Sequence, residues 1–149
     1  MKVEIDQSGK LEQLNTDTVV AYANGKSNAV LLKVPAKRTV FHHLKRSLIP
    51  EPDIEAIWFA IVIYLLIQDV PNTATLVIDE EYTGKDQVIE RALIKLLNRR
   101  FHGRWLGTIR FQRIGKSSPA HTLAYTTYRG KHRHKVRRIN AEEVLRELQ

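Results

Sequence analysis

Apolar and polar positions set out short strands first and helices afterwards. Val3-Glu-Ile-Asp6 reads as a first strand, broken by Gln7-Ser8-Gly9. Thr18 to Ala23 and Asn28 to Val34 are β-rich runs separated by Asn24-Gly25-Lys26-Ser27, and Asn-Gly between such runs predicts a hairpin. Pro35 to Ser47 is basic and ambiguous in its period. A helix then opens at Pro50-Glu51-Pro52-Asp53, where proline suits the first turn and acids suit the positive helix end. It continues through the apolar run Ala56 to Ile67, is stopped by Pro71-Asn72, and has no polar stripe, so it should be buried on nearly all sides.

Thr75-Leu-Val-Ile-Asp79 is apolar without alternation and predicts a strand buried on both faces. After a cap at Thr83 or Gly84, Val88, Ile89, Ala92, Leu93, Leu96 and Leu97 fall at helical spacing over Lys85 to Arg100. Thr108 to Ile114 alternates and predicts another strand. Ser118-Pro119 is a cap followed by proline at the first helical position, for a helix running to a stop at Gly130. Asn140-Ala-Glu-Glu143 is a capping box for a last short helix. The predicted order is β-β-β-α-β-α-β-α, then a basic strand or loop and a final helix. That order implies an α/β fold, a mixed sheet with helices on its faces.

Composition narrows the chemistry. A chain of 149 residues with 43% hydrophobic content has the size and core of one domain. With no cysteine there is no disulfide framework, thiolate metal site or thiol nucleophile. The longest apolar run, Ala56 to Ile67, is twelve residues, against roughly 20 for a bilayer span. With no apolar leader after Met1, a soluble, cytoplasmic protein is expected.

The net charge is +8, and it is unevenly placed. Residues 1–34 are neutral and 35–84 carry −3; Lys85 to Arg138 hold fifteen basic and two acidic residues, and the last eleven carry −2. An acidic stretch before a basic one suits a protein that holds divalent cations and grips phosphates. The basic candidates for a nucleic-acid backbone are Arg99, Arg100, Arg104, Arg110, Arg113 and Lys116, then Arg129, Lys131, Arg133, Lys135, Arg137 and Arg138.

Four residues are placed for chemistry. Asp6 and Asp79 close predicted strands, where open α/β sheets put their ligands. Glu55 sits in the first turns of the long helix, and His121 in the first turn of the helix after Ser118. Several carboxylates with a histidine suit Mg²⁺ or Mn²⁺, and two such ions can clamp both oxygens of an in-line phosphodiester displacement. Each residue also has a plainer reading: Asp6 shaping a turn, Asp79 a cap, Glu55 opposing a helix dipole, His121 on the surface. Glu80 and Glu81 stay open between solvent and site.

The element order and these positions resemble the ribonuclease H-like superfamily of nucleases, resolvases and integrases. Val3-Glu-Ile-Asp-Gln-Ser-Gly9 resembles its first-strand motif, and Leu76-Val-Ile-Asp-Glu80 its fourth strand. Glu55 stands where the helix acid would be. Ser117-Ser-Pro-Ala-His-Thr-Leu-Ala124 resembles the final motif. Some relatives put the final Asp directly after Leu-Ala, where this chain has Tyr125. Others put it two residues before the Leu, where it has His121, and Piwi-like members accept a terminal His. The resemblance covers roughly Lys2 to Lys131, implying a ribonuclease H-like domain over 1–131, with 132–149 a basic segment and C-terminal helix packed on it. It implies a Mg²⁺- or Mn²⁺-dependent nuclease with Asp6, Glu55, Asp79 and His121 as catalytic and metal-binding residues. The alternatives are a non-catalytic nucleic-acid-binding module of the same fold with a degenerate site, and a basic face that meets an acidic protein. DNA, RNA and hybrid substrates, and the oligomeric state, stay open.

Overall fold

A computed structural model describes residues 1–131 and 136–148. Its strands are β1 Lys2–Ser8, β2 Thr18–Asn24, β3 Lys26–Leu32, β4 Thr75–Asp79, β5 Thr108–Gln112 and β6 Arg137–Arg138. Its helices are α1 Val34–Lys45, α2 Ile54–Leu66, α3 Asp86–Arg100, α4 Pro119–Tyr128 and α5 Ala141–Arg146, with a 3₁₀ turn Glu51–Asp53 leading into α2. They form an α/β fold around one six-stranded mixed sheet, ordered β5-β4-β1-β2-β3-β6. β1, β2 and β3 are antiparallel neighbours; β4 is parallel to β1, β5 to β4, and β6 to β3.

Strand alternation gives the sheet two unlike faces. Val3, Ile5, Val20 and Tyr22 point into the main core with Trp58, Phe59 and Val62 of α2, Leu93 and Leu97 of α3, Val40 and Leu44 of α1, and Val144 of α5. Val19, Ala21 and Leu31 point the other way and pack under Ala124 of α4. The glutamate and aspartate of β1 therefore face α4.

The ambiguous stretch after Val34 is a helix. Asp17 fixes its start, accepting the Val34 N–H at 2.9 Å and pairing with Lys33 Nζ at 3.2 Å. Lys37 of this helix is fully buried, and its Nζ donates to the carbonyls of Lys10, Gln13 and Thr16 at 3.0, 2.6 and 2.6 Å. Burial pushes this ammonium down to about 8.

The long helix ends at Leu66, ahead of the expected Pro71-Asn72 stop. Its last carbonyls have no intrahelical donor. Leu65 O accepts from Arg137 at 3.2 Å, Leu66 O from Asn28 at 3.1 Å, Ile67 O from Arg100 at 3.1 Å, and Gln68 O from Arg100 as well. Three side chains from three other elements thus close one helix end. The helix after Gly84 has Lys85 at its cap with no side-chain bond, so the expected Thr83 or Gly84 cap is replaced. The fifth strand stops at Gln112, two residues earlier than its alternation implies. Asn140 and Glu143 form the expected capping box. Among the described residues no helix is long and apolar enough to cross a membrane.

Candidate metal centre

The parallel pairing of β1 with β4 sets Ile5 opposite Ile78. Asp6 and Asp79 are each the next residue, so alternation turns both away from the main core on adjacent strands. Asp79 is the last residue of β4, while β1 runs on to Ser8, so Asp6 lies inside its strand and not at its end. Glu81 follows in the loop after β4. Asp6, Asp79 and Glu81 each bring a carboxylate oxygen within 4.8 Å of the others.

The surrounding fold fixes these groups. Asp6 is 3% exposed. One of its oxygens accepts the Gln7 N–H at 2.8 Å, and the other lies 2.8 Å from His121 Nδ1. Asp79 accepts the Ile114 N–H at 2.6 Å, which ties the segment after β5 to the site. α4 presents His121 from its first turn. Ser118 caps that turn by accepting from the Ala120 N–H at 3.2 Å, and Pro119 opens it. One turn on, Tyr125 lies parallel to the His121 ring, at 7° and 6.3 Å between centroids. Gly9 lets the β1–β2 loop pass close to α4: at its φ of +75°, a Cβ would lie 2.2 Å from Asp17 O and 2.5 Å from the Tyr128 ring.

Crowding of like charge is written into the proton affinities. Burial raises the Asp6 pKa, and the Asp79 charge adds to that, against hydrogen bonds from Gln7 and His121. Glu81 is pushed up to about 8. Burial is the chief cause, followed by a hydrogen bond to Asp79 that only a protonated carboxyl can donate, then the charges of Asp79 and Asp6; Lys10 pulls the other way. Three carboxylates this close need protons or a cation between them. Their donors are hard oxygens, the set that fits Mg²⁺ or Mn²⁺.

The structure brings together three of the four predicted site residues, with one change of role. Asp6 and Asp79 converge. His121 reaches the centre through its bond to Asp6 and is not one of the converging ligand groups. Glu55 stands half-buried in the first turn of α2 and does not join the group, because α2 packs on the opposite face of the sheet from α4. Glu81 takes the third carboxylate position instead. The acidic run Asp79-Glu80-Glu81 was its only signal, and strand alternation gives no direction to a residue past the strand end.

The basic candidates divide as well. Arg113 and Lys116 are exposed on either side of Ile114, whose N–H holds Asp79, so they flank the centre. Arg99, Arg104, Arg110, Arg129, Lys131 and Arg138 are also exposed. Arg100 and Arg137 are engaged in closing α2, and Arg137 pairs with Glu143 besides. Both were expected on the nucleic-acid face; Arg100 is half-buried against the end of α2, whereas Arg137 makes its bond to Leu65 O while staying exposed. Arg133 and Lys135 lie outside the described residues. No family model matches the chain, and no curated protein matches it.

Proposed function

We propose that this protein is a divalent-metal-dependent nuclease of ribonuclease H-like fold that hydrolyses phosphodiester bonds in nucleic acid. The convergence of Asp6, Asp79 and Glu81 within 4.8 Å carries the reading. The mixed sheet supports it, because an antiparallel meander joined through β1 to parallel β4 and β5 agrees with the order that the resemblance implies. Asp6, Asp79 and Glu81 would hold Mg²⁺ or Mn²⁺, which supplies Lewis-acid polarisation of the phosphodiester when bound. Asp6, with one oxygen held by the Gln7 N–H and the other by His121, would offer a remaining lone pair of a fixed carboxylate. Through its Nδ1 contact, Asp6 would orient the His121 ring at the rim of the centre. Arg113 and Lys116 grip phosphates beside the scissile bond, and Lys10 offsets the acidic charge next to Glu81.

Tyr125 favours a second reading. It occupies a position where some relatives carry the final acid, and it is half exposed on the His121 ring. On that reading the fold binds nucleic acid without cutting it. Labelled DNA, RNA and hybrid substrates incubated with Mg²⁺ or Mn²⁺ separate the two. The nuclease reading expects cleavage that falls at least a hundredfold in Asp79→Asn. Cleavage unchanged in that variant removes it. Salt-sensitive binding without cleavage, and without calorimetric uptake of Mn²⁺, establishes the second reading instead.

A further inference from the structure

The outer surfaces of α2 and α3 enclose a trough of about 360 Å³ on the side of the sheet away from α4. Ile57, Ile61, Val88, Ala92 and Leu96 form its apolar floor. Ile49 and Leu148 continue it into a wider depression between the turn before α2 and α5, where Leu48 stands fully exposed. Along one rim Arg91, Lys95 and Arg99 repeat every four residues on α3, all exposed and all without an acidic partner among the described residues. Of the two acids in the trough, Asp53 is already paired with Lys85 at 3.0 Å, which leaves Glu147 at the end nearest Leu148. The trough is therefore greasy at the bottom and cationic along one side.

We infer that this trough docks an acidic amphipathic helix of a partner protein. The floor rewards apolar side chains at i, i+3, i+4 and i+7, the spacing a helix presents on one face. The rim cations rise about 6 Å apart along α3, the same interval at which a docked helix places acids four residues apart. Nucleic acid would use the cations but leave the apolar floor covered by nothing. The rim would steer the partner in and fix its register, while floor contacts hold it. This surface is separate from the carboxylate centre and does not depend on the nuclease reading.

The test uses the full chain and a fluorescein-labelled helical peptide of about 14 residues, with Leu at i, i+3, i+4 and i+7 and Glu flanking them. A scrambled peptide of the same composition and a DNA duplex serve as comparisons. Anisotropy at low salt should give micromolar binding to the ordered peptide and at least tenfold weaker binding to the scrambled one. Arg91→Glu with Lys95→Glu should weaken the ordered peptide about tenfold, and Val88→Asn, which removes apolar floor without changing any charge, should weaken it too. Both variants are checked for an unchanged circular dichroism spectrum. Equal affinity for the two peptides overturns the inference, as does binding indifferent to the rim reversal. Loss of duplex binding alone in the reversal variant makes this a nucleic-acid surface and overturns it too. Concentration-dependent self-association abolished by the reversal puts a second copy of the chain in the trough and also overturns it.

Discussion

Three carboxylates held within 4.8 Å of one another give Glu81 a choice between a proton and a cation. Its side chain titrates near 8 in the fold, against an ordinary 4.5. Between those values the native state keeps a proton that the unfolded chain has shed. Metal-free protein therefore loses stability as pH rises through this window, and Asp6, raised in the same direction, adds to the loss. Glu81→Gln should flatten the fall in melting temperature between about pH 5 and pH 8, and Mn²⁺ added to the wild type should reverse it. Thermal melts at several pH values, with and without the ion, check both. A pH profile identical in wild type and variant would show that Glu81 does not sense its neighbours. Asp6 and Asp79 drew attention because each ends an apolar run that reads as a strand; that they share a face follows from the β1–β4 register, which the run alone does not give. Glu81 was not legible, because the path of a loop depends on what it packs against. Glu55 misled because its place near a helix start is equally that of a residue opposing the dipole.

At the scale of elements, α2 shows how a buried helix is ended. Its thirteen residues are nearly all apolar, so its last carbonyls are met from outside it: Tyr64 O by Gln68, just past its end, at 2.6 Å, and the following ones by Arg137, Asn28 and Arg100. Charge along a sequence does not reveal which cations a helix end will claim: Arg100 and Arg137, expected on the phosphate-binding face, also donate to carbonyls at the end of α2, Arg137 while staying exposed. Arg100→Ala should lower stability by about 1–3 kcal/mol, the scale of hydrogen bonds from a charged donor, and leave nucleic-acid affinity nearly unchanged. Lys116→Ala should do the reverse: it should weaken nucleic-acid binding and reduce the salt slope by about one counterion, without moving the melting temperature. Denaturant unfolding and binding titrations at several salt concentrations, run on both variants, separate the roles. The helix over Val34–Lys45 was illegible for a related reason. Its buried positions include Lys37, whose charge hides the apolar stripe that periodicity would detect.

Across the whole molecule, the +13 segment is not one patch. Among its described residues, part flanks the carboxylate centre through the loop after β5, part lines the α3 rim, Arg137 and Arg138 lie on the opposite sheet edge, and Arg100 and Arg137 also donate to carbonyls at the end of α2. Composition foretold the sign of the protein's field but not its division among two surfaces and a scaffold. The order of elements was readable nearly throughout, since each depends on local periodicity and caps; what pairs across the sheet depends on register between distant segments.

The β1–β2 loop beside the site is built like a small ionophore, three carbonyls closed around a cation, except that the cation is covalently part of α1. A tethered ion does not dissociate or exchange with salt, so the loop opens only when Lys37 withdraws or α1 lifts from the sheet. Amides of Gln13 and Thr16, bonded within that loop, should therefore exchange hydrogen with the same opening free energy as the middle of α1. Lys37→Met should speed exchange in the loop far more than in β2. Loop amides that exchange freely while α1 stays protected would sever this link. The segment that carries the chain from Asp6 past Glu12 is then as durable as the docking of a helix on the other side of the sheet.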